Sequence, residues 1–378
     1  MPNNDFVGIG LVGCGSFGLF CLDAYSSMTR VKIVAVSDLR KDLADYAASQ
    51  YNVPAFYKAQ ELMSHDDVDL VHIATPPSTH HLLAIQASRH GKHCLCEKPL
   101  ALNTAQADEI LDLARQAGTI APVNFVMRYN AITEMAKSVI NSGVLGRVLR
   151  AQLTNCASDS NLPSSHWFWD KSTSGGIFIE HGVHFFDLYD YWLGEGKVAC
   201  ADELSREGKG MQDRVTCQVL HEQGTLASHY HGFDQPAELD RTDHRLICEM
   251  GEVVVKGWVP MEIRVTALVD EEGQAQLARH LDDPQVEILQ EVQPGGSNKV
   301  FSRGKPRHYT TLVEFSHRLN EEKPAVYASS IRQLLADQIH YLDDPAHERK
   351  VTELNGYKAL ALAESADNIA SAVDKRAA

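Results

Sequence analysis

Val7-Gly8-Ile9-Gly10-Leu11-Val12-Gly13-Cys14-Gly15-Ser16-Phe17-Gly18 joins a short apolar, strand-like run to a glycine loop that opens a helix-like segment, Phe17 to Tyr25. In the spacing G-x-G-x-x-G, Gly13 permits a tight turn and Gly15 lets the backbone approach a pyrophosphate. Gly18 allows the helix to pack closely on the strand, and the helix N-terminus, beginning at Ser16 and Phe17, faces the phosphates. Such a loop alone is a weak signal, equally a flexible turn. Here a second β-branched run, Val31 to Val36, ends in Ser37-Asp38, and Asp38 lies twenty residues after Gly18. A carboxylate at that point hydrogen-bonds the adenosine ribose 2′-hydroxyl of a dinucleotide. It also repels a 2′-phosphate, so NAD is the expected cofactor, with Arg40 and Lys41 close enough to leave NADP open.

Outward from the loop, strands and helices alternate. Helix-like Leu43 to Tyr51 is followed by Ala55 to Tyr57, then by a strand, Leu70 to Ala74, and a helix from about Ser78 to His90 that stops at Gly91. His93 to Cys96 reads as strand, Thr104 to Ala117 as helix, and Ile120 to Asn124 as strand. This alternation defines an α/β class with a doubly wound parallel (Rossmann) sheet over residues 1–125. The 378 residues exceed one compact core, so residues 126–378 are expected to form a second domain.

Composition narrows the partners. Basic residues number 35 and acidic residues 50, a net charge of −15, which argues against nucleic acid and against an anionic membrane surface. No apolar run is long enough to span a bilayer, and Met1-Pro2-Asn3-Asn4-Asp5 lacks a basic leader region. The eight cysteines form no CxxC pair, and Cys94 and Cys96 flank Leu95 at strand spacing, as buried thiols would. A reducing, cytoplasmic setting is expected.

Two further stretches go beyond a generic nucleotide fold: Thr75-Pro76-Pro77-Ser78-Thr79-His80, closing one strand, and Gly91-Lys92-His93-Cys94-Leu95-Cys96-Glu97-Lys98-Pro99-Leu100, covering the next. With the glycine loop, and with Ser174-Gly175-Gly176-Ile177-Phe178-Ile179-Glu180-His181-Gly182-Val183-His184-Phe185-Phe186-Asp187, the chain resembles the Gfo/Idh/MocA family of NAD(P)-dependent oxidoreductases. Asn124-Phe125-Val126-Met127-Arg128-Tyr129 resembles the segment by which that family leaves its nucleotide domain. Two positions depart from the family pattern: Ser174 replaces the first glycine of a triple, and Glu180 stands where aspartate is usual. The resemblance implies a C-terminal α+β domain with an open, mostly antiparallel sheet that pairs subunits into a homo-oligomer. It implies a sugar, inositol or related polyol substrate, with Lys98 and His184 flanking the reacting carbon and Glu180 orienting substrate. Thr75, Pro76, His80, Glu97 and Lys98 fall in the matched cofactor segments, and Lys98–Pro99 is a peptide often cis in relatives.

The residues support the same chemistry independently. Lys98 follows the carboxyl end of a parallel strand, where ligands of open α/β sheets bind, and an ammonium there stabilises a developing negative oxygen. Taken alone it reads rather as a solvated lysine beside a proline turn, and the surrounding motifs reverse that reading. Glu180, His184 and Asp187 are spaced i, i+4, i+7 and share a helix face; His184 suits proton exchange with a hydroxyl, or forms a buried pair with Asp187. His181, His184 and Asp187 also resemble a ligand set, but neither HExxH nor HxxEH occurs, and no metal is expected. Trp167, with His166 and Trp169, either stacks on a sugar ring or packs internally. Arg128 and Tyr129 either reach substrate or are structural. His229 and His231 point to one side of a strand and line the cleft or face solvent, while His72, inside an apolar strand, reads as structural. His80 contacts cofactor or caps the following helix.

In the second half, Val148–Thr154, Val198–Leu204, Arg214–Leu220, Thr225–His231, Arg245–Met250 and Val253–Trp258 read as strands, with Gly251 at a hairpin. Residues 268–305 read as a long loop, with turns at Asp270-Glu271-Glu272-Gly273 and Gln293-Pro294-Gly295-Gly296-Ser297. Helical patterns fall at Tyr309–Arg318, Ile331–Tyr341 and Leu354–Val373, the last long enough to pack back on the first domain. The function these features predict is NAD-dependent oxidation of a polyol hydroxyl. Two others remain: an enzyme that retains NAD and oxidises transiently to eliminate, epimerise or cleave a glycoside, and a non-catalytic nucleotide sensor.

Overall fold

The computed structural model describes residues 6–206, 211–292 and 298–377. The readings of Met1–Asp5 and of the Gln293–Ser297 turn lie outside the described residues. Two compact units divide the chain: Met1–Val126 with Ser164–Asp187 and Tyr327–Asp367, and Met127–Pro163 with Leu188–Val326 and Asn368–Ala378.

In the first unit the apolar runs become parallel strands β1 (Val7–Val12), β2 (Val31–Ser37), β3 (Ala55–Phe56), β4 (Leu70–Ile73) and β5 (His93–Cys96), in the order β3-β2-β1-β4-β5. β1 is buried along its whole length, as a strand covered on both faces must be. Strand order reverses direction at β1/β4, which opens a crevice at the carboxyl ends. The helix Thr104–Ala117 starts where the Asn103 side chain accepts from Gln106 N and stops at Gly118, φ 67°. The expected strand Ile120–Asn124 is corrected to an extended segment with one bridge, Val123 to Cys96. Cys94 N and Cys96 N donate to Ile120 O and Pro122 O at 2.9 and 3.0 Å, but Pro122 has no N–H to extend the ladder. In the last helix, Glu353–Ala377, a Cβ on Gly356 would lie 2.5 Å from Val123, and Glu353 accepts from Ala121 N at 3.1 Å.

The second unit holds β6 (Val148–Ser158), β7 (Gly196–Ser205), β8 (Gln212–His221), β9 (Leu226–Gln235), β10 (Arg241–Cys248), β11 (Gly251–Lys256), β12 (Glu262–Val269), β13 (Gln285–Glu291), β14 (Asn298–Ser302), β15 (Lys305–Tyr309) and β16 (Thr311–Arg318). Nine of them form one sheet, β13-β16-β12-β11-β10-β6-β9-β8-β7, antiparallel except for β6–β9; β14 and β15 pair separately. Two expectations fail here. The helix expected over Tyr309–Arg318 is instead the end of β15 and the strand β16, because Thr311, Val313 and Phe315 are buried at period two while the residues between point outward. The described part of residues 268–305 holds a helix, Glu271–Ala278, and two strands, β13 and β14. The presumed turn at Asp270 is the helix cap, its side chain accepting from Gly273 N at 2.8 Å.

One sheet face is apolar and covered; the other carries cross-strand ion pairs such as Arg245–Glu252 (3.1 Å) and Arg264–Glu314 (3.4 Å). On the covered face His221, His229, His231 and His244 are buried around Tyr189, whose ring centroid lies 4.5 Å from that of His229 and 5.8 Å from that of His244. His229 and His231 therefore do not face solvent. Burial pushes all four imidazoles down, His231 and His244 to about 3. An unfolded imidazole titrates near 6.5, so below that pH the unfolded chain binds more protons and the fold loses support. Each such histidine costs about 1.4 kcal/mol per pH unit below about 6.5. The melting temperature should accordingly fall steeply between pH 6.5 and 5, before carboxylates titrate. A flat melting temperature across that window would contradict this.

Candidate active site

The glycine loop is built for a ligand. Gly13 sits at φ 101°, and a Cβ there would lie 2.3 Å from Ala74 O; one on Gly18 would lie 2.2 Å from Gly13 O. A Cβ on Gly15 would meet nothing within 4 Å, which is the open side of the cradle. Gly15 caps the helix Ser16–Tyr25 without a side-chain hydrogen bond, so the first-turn N–H groups of Ser16 and Phe17 stay available. The Phe17 ring packs 5.9 Å from that of Tyr327. Asp38 is aimed by two backbone amides: Oδ2 accepts from Cys14 N at 2.9 Å and Oδ1 from Arg40 N at 2.8 Å. A turn with space only on its outer side, an uncapped helix start and an oriented carboxylate together fit a dinucleotide.

At the exits of β4 and β5, Thr75 Oγ1 bonds Thr79 Oγ1 at 2.7 Å, and Pro76 is exposed. His80 is fully buried, with Nε2 2.7 Å from Thr75 O and Nδ1 2.6 Å from Pro99 O. Burial pushes its pKa down against the pull of the two carbonyls, and the neutral ring donates to only one of them. Its side chain ties the two strand exits together, so any service to the cofactor is through the backbone it braces. Lys98–Pro99 is cis.

Lys98 Nζ donates to the Glu180 carbonyl at 2.9 Å and, more closely, to its carboxylate. Glu180 lies in a π-helical turn, Phe178–Gly182, that precedes the α-helix Val183–Leu193. The helix expected through Glu180, His184 and Asp187 thus begins with a widened turn, a form common at functional sites. Gly175 and Gly176, at φ 84° and 89°, lead into it. Ser174 fits the first glycine position because that residue avoids positive φ, and its Oγ accepts from Gly176 N at 3.0 Å. His184 is 5% exposed; burial, helped by the Lys98 charge, pushes its pKa well below 6.5, so the ring is neutral at pH 7. Its ring meets Phe125 edge-on at 6.4 Å. His181 is buried with its ring 5.3 Å from that of Phe185, and Asp187 is buried too. Trp167 is half-buried, 5.2 Å from the His166 ring.

Lys98, Glu180, His181, His184 and Trp167 all fall in the same unit as the glycine loop, and Lys98 and Glu180 are in direct contact. Arg128 and Tyr129 belong to the second unit, where the Arg128 guanidinium is buried 3.9 Å from Asp190 and 4.9 Å from the centroid of the Tyr191 ring. Sequence reasoning passed over Tyr25 and Asn124 and left His72 as structural. In fact Glu97 accepts from His72 Nε2 at 3.0 Å and from Asn124 Nδ2 at 2.6 Å, and Tyr25 Oη stands 3.0 Å from His72 Nδ1. The signal was a lone polar residue inside Leu70-Val71-His72-Ile73.

A doubly wound sheet, a glycine loop open on its outer side and a buried lysine–carboxylate pair fit an NAD-dependent oxidoreductase. The model of the "Oxidoreductase family, NAD-binding Rossmann fold" matches residues 7–125, and that of the "GFO/IDH/MocA C-terminal domain" matches residues 133–254. The chain belongs to the Gfo/Idh/MocA family. It is 26% identical over 256 residues to a myo-inositol 2-dehydrogenase of Thermotoga maritima, covering 64% of this chain and 75% of that one. It is 30% identical over 210 residues to a 2,7-anhydro-N-acetylneuraminate hydratase of Mediterraneibacter gnavus, covering 55% of each. The fold matches the crystal structure of the WlbA dehydrogenase from Bordetella pertussis in complex with NADH and UDP-GlcNAcA, with a TM-score of 0.79, 19% identity and coverage of 98% and 97%. No helix among the described residues is long and apolar enough to cross a membrane.

Proposed function

We propose that this protein oxidises a secondary hydroxyl of a sugar, inositol or related polyol. When bound, NAD supplies the hydride acceptor. The observation that carries the reading is the Lys98–Glu180 pair beside His184. Lys98 gives two of its three N–H groups to Glu180, which leaves one for a substrate oxygen. Glu180 holds the ammonium in place, and its extra methylene relative to aspartate is accommodated by that contact. His184, neutral at pH 7, accepts the hydroxyl proton. His181 and Trp167 complete the substrate side, and Asp38 favours NAD over NADP. The Thermotoga dehydrogenase supports a cyclic polyol as substrate.

The hydratase relative favours a second reading, in which oxidation is transient and the cofactor is restored each turnover. Stoichiometry separates the two across a panel of inositols, aldoses, sugar acids and anhydrosugars. The first reading expects one NADH, read at 340 nm, per substrate consumed. Consumption without net NADH supports the second, and NAD binding with no consumption of any panel member would overturn both.

A further inference from the structure

Glu97 is the last residue before the lysine and is almost buried, yet its carboxylate is engaged on one oxygen only. Oε1 accepts from His72 Nε2 (3.0 Å) and from Asn124 Nδ2 (2.6 Å). Among the described residues no side chain or amide donates to Oε2. His72 is fully buried, and its other nitrogen meets Tyr25 Oη, also fully buried, at 3.0 Å.

The acceptor at the end of the chain fixes one proton. A carboxylate only accepts, so His72 Nε2 carries the hydrogen. Its Nδ1 meets the Tyr25 hydroxyl, the other buried polar group of the set, at 3.0 Å. Burial keeps that phenol protonated. Tyr25, His72 and Glu97 thus form one buried hydrogen-bonded chain that ends on Oε1. Cys21, His72 and Glu97 also offer donor atoms within 4.8 Å of one another. Both imidazole nitrogens are already committed and the thiol is pushed up by burial, so the hydrogen-bond chain accounts for the set better than a metal ion.

Sheet order places Glu97 relative to the glycine loop. Asp38, at the end of β2, lies on one side of the glycine loop that follows β1; β4 and β5 lie on the other. A dinucleotide straddling the loop with its adenosine at Asp38 extends its nicotinamide half towards the ends of β4 and β5, where Glu97 stands. We propose that Tyr25, His72 and Asn124 are positioning residues that hold the Glu97 carboxylate so that Oε2 receives a hydroxyl of the nicotinamide-side ribose. This rests on the NAD site proposed above.

The test measures NADH and ADP binding by fluorescence or calorimetry in the full-length protein. ADP retains the Asp38 end but lacks the nicotinamide half. Tyr25→Phe, which removes one oxygen, and His72→Gln should each weaken NADH about tenfold, and Glu97→Gln about ten- to a hundredfold, as loss of a hydrogen bond to a charged group does. ADP affinity should stay within about twofold in all three, on the same reasoning. Equal weakening of both ligands, as a purely structural role for the chain would give, overturns the proposal, and so does unchanged NADH affinity in Tyr25→Phe. If the wild type itself binds no NADH, the cofactor site is wrong, an outcome distinct from either.

Discussion

Lys98→Met is expected to lower kcat about a thousandfold while the NAD dissociation constant stays within about threefold. The asymmetry follows from what the lysine touches. Its ammonium is anchored to the carbonyl and carboxylate of Glu180, not to the glycine loop or Asp38. Removing it leaves the cradle intact but takes away the positive charge offered to the substrate oxygen. It also leaves the Glu180 carboxylate, 10% exposed, without its counter-ion, at a cost to stability of about 1–3 kcal/mol. The double variant Lys98→Met/Glu180→Gln should regain most of that stability and none of the turnover. Recovery of both, or a single variant with wild-type kcat, would remove Lys98 from the chemistry.

His184→Ala should reduce kcat about a hundred- to ten-thousandfold, the range of a lost general base. The pH profile gives a sharper readout. Because burial and the Lys98 charge hold His184 well below 6.5, its base form persists as pH falls through 6.5. The wild-type rate should therefore not decline with a midpoint near 6.5, the value of an exposed imidazole. In the variant the residual rate should rise with pH, since hydroxide must take the proton directly. A wild-type midpoint near 6.5, or turnover unaltered by the substitution, would contradict the assigned role.

Much of this was legible locally. The first sheet follows from apolar runs punctuated by glycine, and the cradle, Asp38, Lys98, Glu180 and His184 each sit in short motifs whose chemistry is carried by neighbours in sequence. What was not legible depended on distant partners. Tyr25, His72 and Asn124 meet Glu97 only because β4 and β5 pair side by side and the first helix lies over them, contacts separated by 25 to 47 residues. Thr311–Arg318 alternates as a strand, but its two-residue period is masked by outward Leu312, so a helical pattern fits as well until β12 pairs with it. Pro122 ended the sixth parallel strand by a missing donor. The two departures from the family pattern have local accounts: Ser174 uses its hydroxyl to cap the turn, and Glu180 spends its extra length reaching Lys98.

The central claim is that hydrogen passes from a substrate carbinol carbon to NAD at this site. Turnover of a panel polyol deuterated at that carbon tests it most directly, with the reduced cofactor weighed by mass spectrometry after a short incubation. The account predicts reduced cofactor one mass unit heavier than with unlabelled substrate, formed by the wild type and not by Lys98→Met. Substrate consumed while the reduced cofactor, trapped within the first turnover, carries no deuterium would contradict it.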